Sequence, residues 1–218
     1  MLQTPSSVRF APPHVREQLE AVYQSAELTA FQRGQPIPLS TEQVWLVRRG
    51  MVQLGTFYPN GEESLLGLAG PGMPFGLPLA QVNPYSAIAL SDVLLLRLNL
   101  AELEQSALWS HMLFQHLTHR LQQTESLLAI KGYRRVEDRL RQFLLLLADA
   151  VGVPTTAGTR FNVRFTHQVL ANATGTTRVT ITRLLGQLKR EGWLTFDPEH
   201  HIILLQAQRA QSSRYASL

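Results

Sequence analysis

The 218-residue chain contains no cysteine, which excludes an intrachain disulfide framework, an iron–sulfur cluster and a thiolate zinc site. It also lacks a long apolar run. The richest stretch, FLLLLADAVGV, is broken by Asp149 and Gly152, well short of the roughly 18 to 20 apolar residues of a membrane helix. The opening residues, MLQTPSSVRFAPPH, show no apolar segment behind a basic one, so the expected compartment is the cytoplasm. Enzyme chemistry is poorly provided for. No histidine lies between Val15 and Ser110, which leaves a barrel there without imidazole ligands for a cupin-like metal. The GxxxxGK[ST] loop, the GxSxG elbow and the HExxH helix are all absent, and no catalytic residue is assigned.

What is present is a globular composition, 44% hydrophobic, enough to bury a core. Its charge is uneven. Residues 1–133 carry 8 basic and 10 acidic side chains, net −2, whereas residues 134–218 carry 12 basic and 6 acidic, net +6. Every basic residue of that second group except Lys189 is arginine. An arginine-rich segment joined to a near-neutral one points to a polyanion-binding module on a regulatory module; a solubilising surface gives the same imbalance.

HVREQLEAVYQSAEL, residues 14–28, reads as a short amphipathic helix with Val15, Leu19, Val22 and Tyr23 near helical spacing. The texture then changes. Apolar runs at 44–47, 52–58, 65–69, 88–90 and 93–98 are separated by Arg49-Gly50, Pro59-Asn60-Gly61-Glu62 and Gly70-Pro71-Gly72, which predicts an antiparallel sandwich or barrel. Asn60-Gly61 predicts a primed hairpin turn. From Leu100 to about Lys131 the pattern is helical, and Phe114, Leu117, Leu121, Thr124 and Leu128 follow one another at spacings of 3, 4, 3 and 4. That alternation is a heptad seam and predicts a homodimer, with Thr124 as a polar register position. Burial of the stripe against the chain's own barrel is the alternative. Gly132 ends the helix, and VEDRLRQFLLLLADAV begins another.

The most informative segment is FTHQVLANATGTTRVTITRLLGQLKREGWLTFDPEHHIILL, residues 165–205. Thr166 can cap a first short helix, Gly175 can supply a left-handed turn, and Thr176 or Thr177 can cap a second helix. On the second helix Ile181, Leu184, Leu185 and Leu188 form one apolar face, while Arg178, Val179, Thr182 and Arg183 fall on another. The second face suits a major groove, with methyl groups for thymine and guanidinium forks for guanine O6 and N7. GWLTFDPEHHIILL reads as two strands around Asp197-Pro198-Glu199, a wing beside the helices. An ordinary helical hairpin, or one whose outer face docks a protein partner, uses the same pattern. The tail at 206–218, QAQRAQSSRYASL, is polar and expected to be disordered.

From near residue 30 to residue 205 these features, in this order, resemble the Crp/Fnr family of transcription regulators. Within it, TRVTITRLLG, RLQQTE at 120–125 and GVP at 152–154 are similar to the cyanobacterial global nitrogen regulators. The resemblance implies an α+β chain: a cyclic-nucleotide-binding-like β jelly roll, a long dimerisation helix and a C-terminal winged helix-turn-helix. The implied divisions are 1–99 for an N-terminal helix and jelly-roll sensor, 100–132 for the dimerisation helix, 133–208 for the DNA-binding domain and 209–218 for the tail. It further implies a homodimer on an inverted repeat in double-stranded DNA, with RNA polymerase as a protein partner. Arg178, Val179 and Arg183 then take base-contacting positions, and Thr166, Gln168 and Thr177 hold phosphates. In the cyclic-AMP receptor branch the position of Val179 is glutamate, which accepts from cytosine N4; valine implies a GTA-like half-site.

The resemblance also implies an effector inside the jelly roll. A cyclic-nucleotide site would carry a glutamate and an arginine after Phe-Gly, but PFGLPLAQVNPYSAIAL has neither between Phe75 and Ile88. A buried cyclic phosphate would lack a charged partner, so cyclic AMP is not expected. The nitrogen-regulator branch implies 2-oxoglutarate, held by the backbone of Phe75, Gly76 and Leu77 and by Arg120 and Glu125 on the dimer helix. The loop arginine of that branch is Asn83 here, the loop is several residues shorter, and Pro78 removes an amide donor. A weaker 2-oxoglutarate site, a different effector, and a vestigial pocket with Arg120 and Glu125 in plain ion pairs all stay open. His111, His116 and His119 share the helix, but no cysteine or carboxylate completes a ligand set, so no metal is expected.

Overall fold

The computed structural model describes residues 27–105 and 107–205. The tail at 206–218 and most of the helix expected over 14–28, with Val15, Leu19, Val22 and Tyr23, lie outside the described residues. The chain divides into two compact units, Met1–Glu125 and Ser126–Leu218.

The first unit holds β1 (Leu28–Phe31), β2 (Gln43–Arg49), β3 (Val52–Phe57), β4 (Glu63–Ala69), β5 (Pro74–Phe75), β6 (Ser86–Ala89) and β7 (Val93–Asn99). They form two sheets, ordered β1-β7-β2-β5 and β4-β3-β6, with antiparallel pairing throughout. One apolar cluster joins the sheets, taking Trp45, Val47, Val93 and Leu95 from the first and Val52, Leu54, Ala87 and Ala89 from the second. This is the antiparallel sandwich that the spacing of the apolar runs predicts, and the resemblance implies it as a jelly roll. Two strands are additional. Leu28, read as the end of a helix, instead opens β1 and pairs with Leu96, because Phe31 closes edge-on over Trp45 at 5.9 Å. β5 is too short to show any alternation.

The hairpin between β3 and β4 differs from expectation in its turn. Gly61 has φ +80°, but Asn60 is not in the positive-φ region, whereas a primed two-residue turn of this sequence needs both there. Pro59 is the reason: it fixes φ near −65° at the second turn position, which suits an ordinary turn followed by a left-handed glycine. The amide of Gly61 donates to the Tyr58 carbonyl at 2.9 Å, and the Tyr58 amide to the Glu62 carbonyl at 2.8 Å. Asn60 closes the loop through its side chain, accepting from the Glu62 amide at 3.1 Å.

Two helices follow, α1 (Leu100–Gln105) and α2 (Ala107–Lys131), and α2 stops where Gly132 donates to the Ala129 carbonyl at 3.1 Å. The predicted seam lies along α2. Phe114, Leu121 and Leu128 are 72%, 59% and 72% exposed, Thr124 is exposed and Leu117 half-buried. Most of the stripe is therefore not covered by the chain's own sheets, the alternative that the sequence leaves open.

The second unit contains α3 (Val136–Val151), β8 (Gly152–Pro154), β9 (Gly158–Phe161), α4 (His167–Thr174), α5 (Arg178–Arg190), β10 (Leu194–Phe196) and β11 (Ile202–Leu205). Its core takes Leu140, Phe143, Leu144 and Leu147 from α3 and Leu170, Ile181, Leu188 and Leu194 from the elements that follow, all essentially inaccessible. The wing is a four-stranded sheet, β10-β11-β9-β8, where the sequence shows two strands. Gly158 permits the extra pairing: its φ is +150°, and a Cβ there would overlap the Leu204 carbonyl oxygen. Any larger residue would push β9 off β11.

Candidate nucleic-acid interface and sensor

The helix-turn-helix is built from the caps upward. Thr166 accepts from the Val169 amide at 3.2 Å and starts α4. Gly175 ends it in the left-handed conformation, φ 63° and ψ 52°. Of the two threonines available for the second helix it is Thr177 that caps, accepting from the Thr180 amide at 3.2 Å, while the Thr176 amide donates back to the Ala171 carbonyl. These bonds satisfy backbone donors and acceptors that helix ends leave orphaned. With Ile181, Leu184, Leu185 and Leu188 buried, the opposite face of α5 must point outward.

That face carries the four expected residues. Val179 is 79% exposed, and Arg178, Thr182 and Arg183 are exposed around it. No carboxylate pairs with Arg178 or Arg183 among the described residues. A solvent-facing valine between unpaired arginines at a helix N-terminal half contributes nothing to folding and costs apolar hydration. It suits contact with a methyl group and two anionic or acceptor-rich neighbours.

One functional candidate escapes the sequence reading. His167, the first residue of α4, lies with Nδ1 2.7 Å from the Thr182 hydroxyl oxygen. That hydroxyl donates its single proton to the Arg178 carbonyl at 3.0 Å, so Nδ1–H of His167 must be the donor to it. Burial, and then the Arg178 charge, hold the imidazole below its ordinary pKa range, so it stays neutral near pH 7. The bond fastens α5 to α4 and engages the Thr182 hydroxyl within the fold. The only hint in the sequence is the Thr-His-Gln triplet at the first cap. Gln168 is also less free than expected, since its Nε2 donates to Asn172 Oδ1 at 2.7 Å.

Not every arginine in this unit faces outward. Arg139 donates to the Thr174 carbonyl at 2.7 Å and to the Tyr133 carbonyl at 2.9 Å. Arg141 pairs with Glu137 at 2.8 Å and with Glu191, and its guanidinium lies 5.3 Å from the Trp193 ring centroid. Arg160 pairs with Asp197 at 2.6 Å and Glu199 at 3.1 Å and donates to His201 Nδ1 at 2.8 Å. Asp197, Glu199 and His201 bring their ligand atoms within 4.8 Å of one another, a spacing that could hold a metal. Arg160 already supplies the cation there. Burial works against a charged Asp197, but the His201 amide and Arg160 outweigh it and hold the carboxyl down to about 2.

In the sensor unit Phe75 is fully buried in the core, so only its backbone is available to a ligand. Gly76 sits at φ +154°, where a Cβ would lie 2.9 Å from the Gln43 carbonyl oxygen. Leu77–Leu79 forms a 3₁₀ turn that engages the Leu79 and Ala80 amides. Arg120 turns inward toward β4 and donates to the Tyr85 hydroxyl at 3.5 Å, whereas Glu125 is exposed, about 140° further round α2. The structure thus brings Arg120 to Tyr85, not to Glu125. Among the described residues no ion pair joins Arg120 and Glu125. Gln123, unnoticed in the sequence, accepts from the Leu68 amide at 2.9 Å and closes the open edge of β4.

Of the three helix histidines, the His111 side chain lies outside the described residues. His116 is half-buried and His119 exposed. Burial first, and His119 second, lower the His116 pKa to about 4. An unfolded chain would therefore hold one more proton than the folded one between about pH 6.5 and 4. Folding stability should fall with pH across that window, the equilibrium shifting up to about tenfold per unit. Urea titrations at stepped pH check this, and His116→Gln should flatten the slope.

Comparison with known proteins agrees with this geometry. Residues 138–209 match the Crp-like helix-turn-helix domain, and residues 29–107 match the cyclic nucleotide-binding domain. The regulatory protein CysR of Synechococcus elongatus is 35% identical over 159 residues, covering 72% of this chain and 73% of its own length. A global nitrogen regulator from a Synechocystis species is 37% identical over 175 residues, 75% of each protein. Among solved structures, a CRP/FNR-family transcriptional regulator from Thermus thermophilus superposes with a TM-score of 0.68 at 27% identity, over 85% of this chain and 97% of that one. FixK2 from Bradyrhizobium japonicum shares the fold, with a TM-score of 0.72 at 21% identity over 86% and 96% of the two chains. The cyclic-nucleotide match does not extend to charge: the stretch from Phe75 to Ile88 offers a cyclic phosphate neither a base nor an acid. With a sensor-type jelly roll, a capped helix-turn-helix and these relatives, the chain is no enzyme and belongs to the Crp/Fnr family of transcription regulators.

Proposed function

We propose that this regulator acts as a homodimer on an inverted DNA repeat with GTA-like half-sites, each protomer laying α5 in a major groove. The observation that carries the reading is Val179, 79% exposed between Arg178 and Arg183 on a helix whose other face is buried. An arginine fork fits guanine, and the valine fits a thymine methyl where a carboxylate would have selected cytosine. The exposed stripe of α2 supports the dimer, which two half-sites one helical turn apart require. The nitrogen-regulator relatives point to promoters of nitrogen metabolism, with RNA polymerase as the partner on DNA. A small organic acid related to 2-oxoglutarate is the effector of the jelly roll, and cyclic AMP is not.

Fluorescence anisotropy tests this on a labelled duplex carrying GTA and TAC separated by eight base pairs, against a scrambled duplex, at fixed physiological salt. The repeat should bind about a thousandfold or more tighter, the usual range of specific over non-specific affinity. Equal affinity for both duplexes would overturn the assignment. Titrating 2-oxoglutarate and cyclic AMP into the same assay reports whether either acid shifts the preference.

A further inference from the structure

Arg139, in the first turn of α3, spends its guanidinium on backbone carbonyls. Its Nε donates to the Thr174 carbonyl at 2.7 Å, and its Nη1 to the Tyr133 carbonyl at 2.9 Å and the Arg134 carbonyl at 3.5 Å. Among the described residues no carboxylate joins them. Both main partners stand at helix ends. Thr174 is the last residue of α4, and because the Gly175 and Thr176 amides both donate to the Ala171 carbonyl, the Thr174 carbonyl is left to Arg139. Tyr133 is tied to the last turn of α2, its amide donating to the Ile130 carbonyl at 3.2 Å. Helix C-termini carry partial negative charge, so a cation shared between two of them is well placed without a carboxylate.

The linker between α2 and α3 needs such a tie. Tyr133, Arg134 and Arg135 are exposed, so burial does little to set their path, and Arg135 at the N-cap of α3 makes no side-chain cap bond. Nε and Nη1 donate from different edges of one rigid plane, which fixes the two carbonyls relative to each other; a lysine offers a single point charge and cannot do so. The turn that aims α5 starts at Gly175, directly after Thr174. One side chain thus spans from the end of α2 to the turn before the recognition helix.

We infer that Arg139 is a positioning residue for DNA recognition: it fixes the angle between the end of α2 and the helix-turn-helix, and thereby the half-site spacing that the protein accepts. This rests on reading the protein as a dimer joined along α2. In such a dimer each recognition helix is carried from the shared seam through the linker that Arg139 braces. One base pair more or less moves a half-site about 3.4 Å along the duplex and about 35° around it. Rejecting a wrong spacing therefore requires a junction stiffer than that rotation.

The test is fluorescence anisotropy of the full chain on duplexes carrying GTA and TAC separated by seven, eight or nine base pairs, and on a single half-site, at fixed physiological salt. The unaltered chain should bind the best spacing at least about tenfold tighter than the other two, since only there do both half-sites engage without strain. Arg139→Gln should reduce that ratio to about twofold while binding the single half-site within about twofold of the unaltered chain. Arg139→Lys keeps the charge without the fork and should lower the ratio as well, to below about fivefold; it decides the matter if circular dichroism shows the glutamine variant unfolded. A ratio unchanged in a folded variant would overturn the proposal. So would an equal loss on the half-site and on every spacing, or the unfolding of both variants, which would make Arg139 a support of the fold alone. A flat response to spacing in the unaltered chain would overturn the dimer reading instead.

Discussion

A chain carrying both Leu121→Glu and Leu128→Glu should sediment as a 24.5 kDa monomer and bind the inverted repeat at least about a hundredfold more weakly than the unaltered chain in its proposed dimer. Phe114, Leu121 and Leu128 recur every seven residues and are 72%, 59% and 72% exposed. A large side chain buried from water contributes roughly 1.5 to 3 kcal/mol. A two-fold seam repeats each contact, so in the proposed dimer the three positions would supply most of what holds two α2 helices together. Two glutamates per helix replace that with like charges facing each other in a dry seam. The loss on DNA follows from geometry, because a monomer forfeits the raised local concentration of the second half-site. Analytical ultracentrifugation with anisotropy on full and half sites reads both effects. A dimeric double variant, or a monomeric unaltered chain that still prefers the full repeat, would show that α2 is not the interface.

The second large effect concerns base choice. Arg183→Ala should cost about 1 to 3 kcal/mol on the repeat and relax preference at one base pair of each half-site, leaving random-sequence binding nearly unchanged. Val179→Glu should do something different: its carboxylate accepts from cytosine N4, so the preferred base should move toward cytosine and the GTA-like site should weaken. Selection from a duplex library randomised over one half-site distinguishes the two. Equal loss on specific and random DNA for Arg183→Ala would reduce that residue to a phosphate contact. Thr182→Val is a useful companion, since it keeps the methyl and removes the bond to His167. It should loosen the hold of α4 on α5 while leaving the chosen base the same.

The parts of this molecule that were legible in the sequence are those governed by near neighbours. Thr166, Gly175 and Thr177 announce two capped helices within a dozen residues, and the buried and exposed faces of α5 follow from a single period. The seam on α2 is visible for the same reason. What stayed hidden depends on partners far along the chain. β8 and β9 are three and four residues long, too short for alternation, and join the sheet because Gly158 lets β9 approach β11 while β8 pairs with β9. The pairing of Arg120 with Tyr85 spans 35 residues and the bond of Gln123 to Leu68 spans 55, so neither leaves a local trace. The primed turn at Asn60-Gly61 failed on one neighbour, Pro59, whose fixed φ outweighs the dipeptide preference. Position 83 shows the opposite: the missing loop arginine was plain in the sequence, whereas the inward turn of Arg120 toward Tyr85 was not.

The arginines folded inward also change what salt should do. Arg139, Arg141 and Arg160 are bound to carbonyls or carboxylates of their own unit, so they displace few counterions when the protein meets a duplex. In the proposed dimer that withdraws six charges from the electrostatic count. The slope of log affinity against log salt should then be shallower, by about 5, than the basic residues of the sequence imply. Selectivity for the repeat should consequently survive rising ionic strength better than a net charge of +6 per C-terminal segment would indicate.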